Sequence, residues 1–216
     1  MTTARDGSAV DLYRRLPSFG EAERIHELIP GGAEVLELGC GVGRVTHELA
    51  SLGHPVTAVD ESAEMLARVV GAATVQARIE GLDLGRRFPC VLLMSQLVNV
   101  PDVAERRAFL RTCAQHVADD GIVVIERHEP DWEPVADRPS ERGGVTFVLE
   151  DVRREGQTVA ATVRYAADGK TWRHPFVARL LNDDDLDVDL RAVGLQLTRV
   201  IDERQTWVEA RLYSDA

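Results

Sequence analysis

The sequence predicts an α/β fold: a doubly wound, mostly parallel central sheet with an antiparallel last strand, plus a small antiparallel β insertion. Three observations carry this. Short strands alternate with helix-length amphipathic segments up to Glu126. The runs at residues 35–38, 91–94 and 122–125 are apolar without alternation, as in strands buried on both faces of a parallel sheet. Beyond Pro130 the helices stop and strand-like segments follow one another through turn residues.

Each element has a local reason. Residues 18–28 put Ala22, Ile25 and Leu28 on one helical face, and Pro30-Gly31-Gly32 breaks the helix. Residues 35–38 are a strand ended by Gly39, residues 43–51 a helix with Gly53 as C-cap, and residues 55–59 a second strand. Ser62 N-caps a helix running to Val70, before Gly71. Residues 73–77 and 91–95 are the third and fourth strands. Residues 102–117 are a helix that exits through Asp119-Asp120-Gly121 into the fifth strand, residues 122–126. Strand and helix alternating in this way build right-handed βαβ units. In the insertion, residues 145–152, 158–165 and 171–180 are strands, and Asp168-Gly169 turns the last hairpin. Asn182 caps a helix through Val193, with Gly194 as C-cap. Asp183-Asp184-Asp185 lies at its N-terminus, where the dipole favours acid. Residues 195–201 and 206–213 finish as a hairpin.

Length and composition set the frame. The 216 residues suit a single domain, 1–216, with the insertion at approximately 140–181 and a short N-terminal tail at residues 1–8. The net charge of -11 and the absence of any Lys/Arg-rich run disfavour a nucleic-acid partner or an anionic membrane. Lys170 is the only lysine, which points to a GC-rich coding sequence. Cys40, Cys90 and Cys113 are widely spaced and form neither a metal-ligand pattern nor a disulfide framework. There is no apolar signal segment and no run long enough to span a bilayer, so the expected location is cytoplasmic. No metal is expected.

The chemistry is concentrated at Val35-Leu36-Glu37-Leu38-Gly39-Cys40-Gly41-Val42-Gly43-Arg44, which ends a buried strand and opens a helix. Glycines there allow a sharp turn and close backbone approach to a ligand. The spacing is Gly-x-Gly-x-Gly, and Arg44 stands where a dinucleotide fold needs its third glycine. Glu37, read as lying at the mouth of the loop, would repel a pyrophosphate but suits the ammonium of an amino-acid-like ligand. Asp60 ends the second strand about 20 residues past the loop, the separation expected of a carboxylate that accepts ribose hydroxyls. Together these residues describe a cradle for an adenosine that carries an amino-acid tail and no phosphates.

This combination resembles the class I S-adenosylmethionine-dependent methyltransferases of small-molecule type. The resemblance runs from about Asp11 to Tyr213, with specific matches at residues 35–46, 56–65, 76–99 and 121–128. It implies a Rossmann-like fold whose seventh strand, here residues 206–213, is antiparallel and inserted beside the fifth. It implies S-adenosylmethionine as cofactor. Glu37 and the loop Gly39, Cys40, Gly41 and Gly43 would hold the methionine part, Asp60 the ribose, and Glu61 would lie beside the adenine. Met65 would pack on the adenine ring, and the backbone N–H of Ile79 would meet the adenine amine. Ser95, Gln96 and Leu97 would flank the sulfonium. An N-terminal segment with Tyr13, Arg14 and Arg15 would close over the cofactor, Arg14 or Arg15 pairing with its carboxylate. The chain departs from the family pattern at Arg78, where an acid is frequent and Glu80 is the available substitute. It departs again at Phe88-Pro89-Cys90, where Phe-Asp is frequent.

Methyl transfer is an in-line displacement in which alignment supplies most of the acceleration. His128, two residues past the fifth strand, should face the crevice, and its ordinary pKa of about 6.5 suits a general base. Trp132, Trp172, His174 and Asn99 are further candidates for the acceptor site, each with a packing or capping role as the alternative. The reading is transfer of a methyl group to a nitrogen or oxygen of a small metabolite. Two alternatives stay open: a non-catalytic cofactor-binding partner protein, and an enzyme using the bound cofactor for other chemistry. A nicotinamide oxidoreductase is disfavoured by Arg44 and Glu37. The acceptor and the oligomeric state are not encoded in any motif.

Overall fold

A computed structural model describes residues 10–213, so the tail at residues 1–8 lies outside the described residues. The elements in chain order are α1 (Val10–Tyr13), α2 (Glu21–Leu28), β1 (Val35–Leu38), α3 (Arg44–Ser51), β2 (Val56–Asp60), α4 (Ala63–Leu66), β3 (Ala73–Gln76), β4 (Phe88–Leu93), α5 (Val103–His116) and β5 (Val117–Glu126). They continue with β6 (Ser140–Arg142), β7 (Val145–Glu155), β8 (Thr158–Ala167), β9 (Lys170–Arg179), α6 (Asp183–Arg191), β10 (Leu195–Val200) and β11 (Trp207–Leu212). The central sheet has the order β10-β11-β5-β4-β1-β2-β3. Its β3-to-β5 portion is parallel, whereas β11 runs antiparallel between β5 and β10. The order reverses between β1 and β4, which is where an open sheet of this kind leaves a crevice beyond its strand ends.

Period-two alternation assigns the core to the two faces of this sheet. Leu36 and Leu38 of β1 join Val91 and Leu93 of β4 in the cluster that packs on α5 and α6. Val35 joins Cys90 and Leu92 in the opposite cluster, with Ile25 of α2 and Val45 and Leu49 of α3. The caps expected at Ser62 and Asn182 form: their side chains accept the backbone N–H groups of Met65 and Asp185.

Three boundaries differ from the sequence reading. The expected exit turn at residues 119–121 is absorbed into β5. Phe88 pairs with Val117 but Cys90 with Ile122, so the turn becomes a bulge in a continuous strand. A side chain at Gly121 would stand 2.9 Å from the carbonyl oxygen of Pro89, so glycine is required by close approach. The helix expected at residues 62–70 ends at Leu66 and continues as i→i+3 turns. The insertion gains a fourth strand, β6, too short and polar to carry a pattern.

The second sheet, β6-β7-β8-β9, connects β5 to α6. Its residues Val145, Ala167 and Trp172 pack on Leu12 of α1, with Tyr13 and Tyr165 at the edge. At its other end Asn99, in the 3-10 turn Leu97–Asn99, donates from Nδ2 to the carbonyl of Arg179 (2.7 Å) and accepts from the N–H of His128 (2.9 Å). Both ends of that amide are thus engaged in joining the second sheet to the exit of β5.

Helices α5 and α6 are locked by a buried ion pair. Arg106 Nε donates to Asp189 Oδ2 (2.6 Å), Arg107 Nε donates to Oδ1 (2.7 Å), and both Arg106 and Asp189 are buried. Removing one partner strands the other charge out of water. Asp189→Ala is therefore expected to lower the unfolding free energy by about 3–5 kcal/mol, measured from urea unfolding. A loss below about 1 kcal/mol would show that the pair behaves as an exposed one.

Candidate active site

The loop after β1 is built by three left-handed glycines, Gly39 (φ +74), Gly41 (φ +56) and Gly43 (φ +83). The N–H groups of Gly39 and Cys40 both donate to the carbonyl of Val59, which fixes the loop to the end of β2. A side chain at Gly39 would meet Leu97 Cδ1 at 2.6 Å, and one at Gly43 the His47 ring at 3.1 Å. At Gly41 nothing lies within 4 Å, so the loop presents bare backbone to open space there.

Two carboxylates flank this loop. Asp60 Oδ2 accepts the N–H of Gly41 and Oδ1 that of Ser62, each at 2.9 Å, so both oxygens are held at the end of β2. Glu37 is not at the mouth of the loop. It shares the face of β1 that carries Val35, and so points beneath the loop toward α3, where it accepts a hydrogen bond from Thr46 and is buried. Burial pushes its pKa up to about 7, against the opposing hydrogen bond from Thr46. Cys40 lies between them, and burial, reinforced by Glu37 and Asp60, holds its thiol well above the ordinary range and un-ionised. Arg44, the residue that excluded a dinucleotide loop, reaches back to ion-pair with the buried Glu21 at the start of α2.

The remaining residues expected around the loop separate into groups. Met65 is buried with Val10 and Val42, and Tyr13 packs on the same cluster, so α1 covers the loop. Arg15 does not face the cradle: it pairs with Asp11 and Asp168 and lies 5.6 Å over the Trp172 ring. Arg14 is exposed. Glu61 is exposed beside Asp60, and its carbonyl accepts from Gln76 Nε2. Ile79 is buried, its Cδ1 near Gly39 and its carbonyl taken by Thr112 Oγ1, while its N–H has no partner among the described residues. Arg78 is ion-paired with Glu80. Ser95 and Gln96 both take left-handed φ values, +55 and +57, turning the chain sharply after β4.

His128 stacks on Trp132, with ring centroids 4.7 Å apart and planes 8° from parallel, and Phe176 of β9 lies against both rings. Burial drives its pKa down to about 4. The near-neutral value expected from the sequence is therefore corrected: desolvation disfavours the imidazolium, and the ring is neutral and weakly basic. Trp172, His174 and Phe176 alternate onto one face of β9, and Trp172 Nε1 and His174 Nδ1 are buried without partners among the described residues.

Beyond the ends of β4 and β5 lies a crevice of about 310 Å³, bordered by Phe19, Arg24, Gln96, Glu126, Trp132 and Arg142 among others. Sequence reading missed most of this wall. Glu126 was within reach, since it ends a buried strand as Asp60 does. Arg127 was not, because its partners are distant in sequence: Nε donates to the carbonyl of Gln205 (2.8 Å), Nη1 to that of Leu181 (3.1 Å), and Nη2 to Asp183.

Comparison with known proteins places this geometry. Residues 11–200 match a family described as a methyltransferase domain. The chain is 32% identical over 176 residues to the dTDP-3-amino-3,6-dideoxy-alpha-D-glucopyranose N,N-dimethyltransferase of Streptomyces fradiae, covering 76% of this chain and 67% of that one. It is 33% identical over 108 residues to the ubiquinone biosynthesis O-methyltransferase of Caulobacter sp. (strain K31), covering 44% of this chain and 40% of that protein, so it spans well under half the length of that relative. The sugar N-methyltransferase of Streptoalloteichus sp. ATCC 53650 shares the fold, with a TM-score of 0.76 at 21% identity over 99% of this chain and 96% of that one.

The Glu37 pKa has a measurable consequence. Its folded value, about 7, stands above the ordinary 4.5, so between these values the folded protein holds a proton that the unfolded chain releases. The stabilisation is complete below pH 4.5 and is lost as pH rises through 7. Going from about pH 5 to pH 8, the stability of the wild type relative to Glu37→Gln should fall by roughly 3 kcal/mol, read from paired urea titrations. Parallel curves for the two proteins would show that Glu37 is charged and solvated throughout.

Proposed function

From the premise that this chain belongs to the family of methyltransferase domains and uses S-adenosylmethionine as its cofactor, we propose that it transfers a methyl group to a nitrogen or oxygen of a small metabolite. The observation that carries this reading is the bare backbone of Gly41, held by the Asp60 carboxylate and facing open space. An adenosine with an amino-acid tail fits that cradle, whereas a pyrophosphate would meet the Asp60 carboxylate.

In this reading Asp60 shares its oxygens between the loop N–H groups and the ribose hydroxyls. The N–H of Ile79 meets the adenine, with Glu61 beside it and Met65 and Tyr13 closing over the ring. The loop from Gly39 to Gly43 carries the methionine part, Arg14 is free to approach its carboxylate, and Ser95, Gln96 and Leu97 border the sulfonium. When bound, S-adenosylmethionine supplies a methyl group on a positively charged sulfur, a good leaving group. The protein then has to align the acceptor and exclude water. His128, clustered with Trp132 and Phe176, forms an apolar wall for that alignment, and the second sheet roofs the acceptor.

A nitrogen acceptor is favoured. Neutral nitrogen attacks without a strong base, and His128 is a weak one. The relative from Streptomyces fradiae, by name, acts on an amino sugar.

Calorimetric titration with S-adenosylmethionine and its demethylated product tests the cradle. Both should bind wild type, and Asp60→Ala should weaken both at least tenfold without unfolding the protein. Failure of the folded protein to bind either ligand would overturn the proposal.

A further inference from the structure

We infer that the crevice beside Gln96 and Glu126 is the acceptor site, and that it takes a small amine bearing an anionic group, the amine on Glu126 and the anion on Arg142. The inference rests on the methyltransferase reading above and adds to it the charge pattern of the substrate.

The argument is which charges on the crevice wall are already committed. Glu21 is taken by Arg44 and by the N–H of Phe19. Asp202 accepts from the N–H of Trp207 and from Thr206 Oγ1, with Arg24 at 4.0 Å. Glu129 pairs with Arg204, and Arg127 is consumed by Gln205, Leu181 and Asp183. Two groups remain. Glu126 has, among the described residues, one hydrogen-bond partner, the N–H of Ser95 at 2.8 Å on Oε2. Arg142, exposed on β6, has no carboxylate partner among the described residues and lies 5.2 Å over the Phe19 ring at the rim. Burial raises the Glu126 pKa, against the hydrogen bond from Ser95, and the charges of Arg44 and Arg24 lower it without hydrogen-bonding to it. A hydroxyl would give it one hydrogen bond and leave its charge uncompensated, whereas an ammonium supplies both. The volume of about 310 Å³ is at the small end for metabolite sites, so one ring fits with its tail at the rim.

The position suits the reaction. Ser95, whose N–H orients Glu126, is where β4 turns beside the transferable methyl group. The bound ammonium gives one proton to Glu126 and frees its nitrogen lone pair. Nitrogen then forms its bond to the methyl carbon as the carbon–sulfur bond breaks. The positive charge passes from sulfur to nitrogen.

Equilibrium binding to protein loaded with S-adenosylhomocysteine tests this without turnover. The probes are a nucleoside-diphosphate-linked amino sugar, its counterpart with hydroxyl in place of the amine, and the free amino sugar. Glu126→Gln keeps an acceptor for the Ser95 N–H, so it removes charge without removing the bond. Wild type should bind the linked amine at least tenfold more tightly than the hydroxyl counterpart, and Glu126→Gln should abolish that preference. Arg142→Ala should weaken the linked amine at least fivefold and leave the free amino sugar unchanged. Equal binding of amine and hydroxyl probes, unaltered binding by Glu126→Gln, or no binding of any probe to the loaded wild type would overturn the inference while leaving the methyltransferase reading intact. Failure of the folded protein to bind S-adenosylhomocysteine itself would remove both.

Discussion

Two distant chain segments, residues 181–183 and 205–206, converge on Arg127, whose guanidinium is buried. Its side chain holds the carbonyl of Leu181 after the second sheet, Asp183 at the start of α6, and the carbonyl of Gln205 in the β10–β11 loop, while its own N–H donates to Thr206. A guanidinium taken out of water is tolerated only when it is hydrogen-bonded and paired, and here two backbone carbonyls and the Asp183 carboxylate do both. The consequence is geometric. The exit of β5, which carries Glu126 and His128, is fixed relative to the returning end of the second sheet and to the hairpin that closes the central sheet. Asn99 makes the same kind of junction from the β4 side. The crevice is thus a rigid seam between two sheets.

Within that seam, desolvation and pairing assign the work. Three acidic side chains lie near the strand ends, and each is held differently. Asp60 is fixed by two backbone N–H groups and stays half-buried at the cradle. Glu37 is buried beneath the loop with one hydroxyl for company, which raises its affinity for a proton. Glu126 is oriented by a single N–H and borders open volume. The same side-chain chemistry is thus held in three different states, because position on the strand sets burial and burial sets the preference for charge. His128 shows the opposite sign: the aromatic stack that orients it also strips its basicity.

Much of the fold was readable because its causes are local. The apolar runs of β1, β4 and β5, the glycines that follow α3 and α6, and the caps at Ser62 and Asn182 act within a few residues, and a parallel sheet with an added hairpin follows from their order. The glycine loop was readable for the same reason: Gly39, Gly41 and Gly43 take left-handed backbone, and Asp60 stands at a strand end. Glu37 was read as part of that cradle but misplaced, since whether a strand residue faces a loop or a helix depends on which sheet face the helix covers.

The sequence by itself determined the strand–helix alternation, the glycine loop with its acidic neighbour at β2, and a net negative charge, because periodicity, backbone conformation and net charge are properties of short segments or of the whole chain. Only the tertiary structure decided the depressed basicity of His128, the pairing of Arg15 away from the cradle, the burial of Arg127 and the uncommitted state of Glu126. Each of these depends at least in part on partners far along the chain, such as Phe176 for His128 and Asp168 for Arg15, and no local pattern encodes which distant group will arrive.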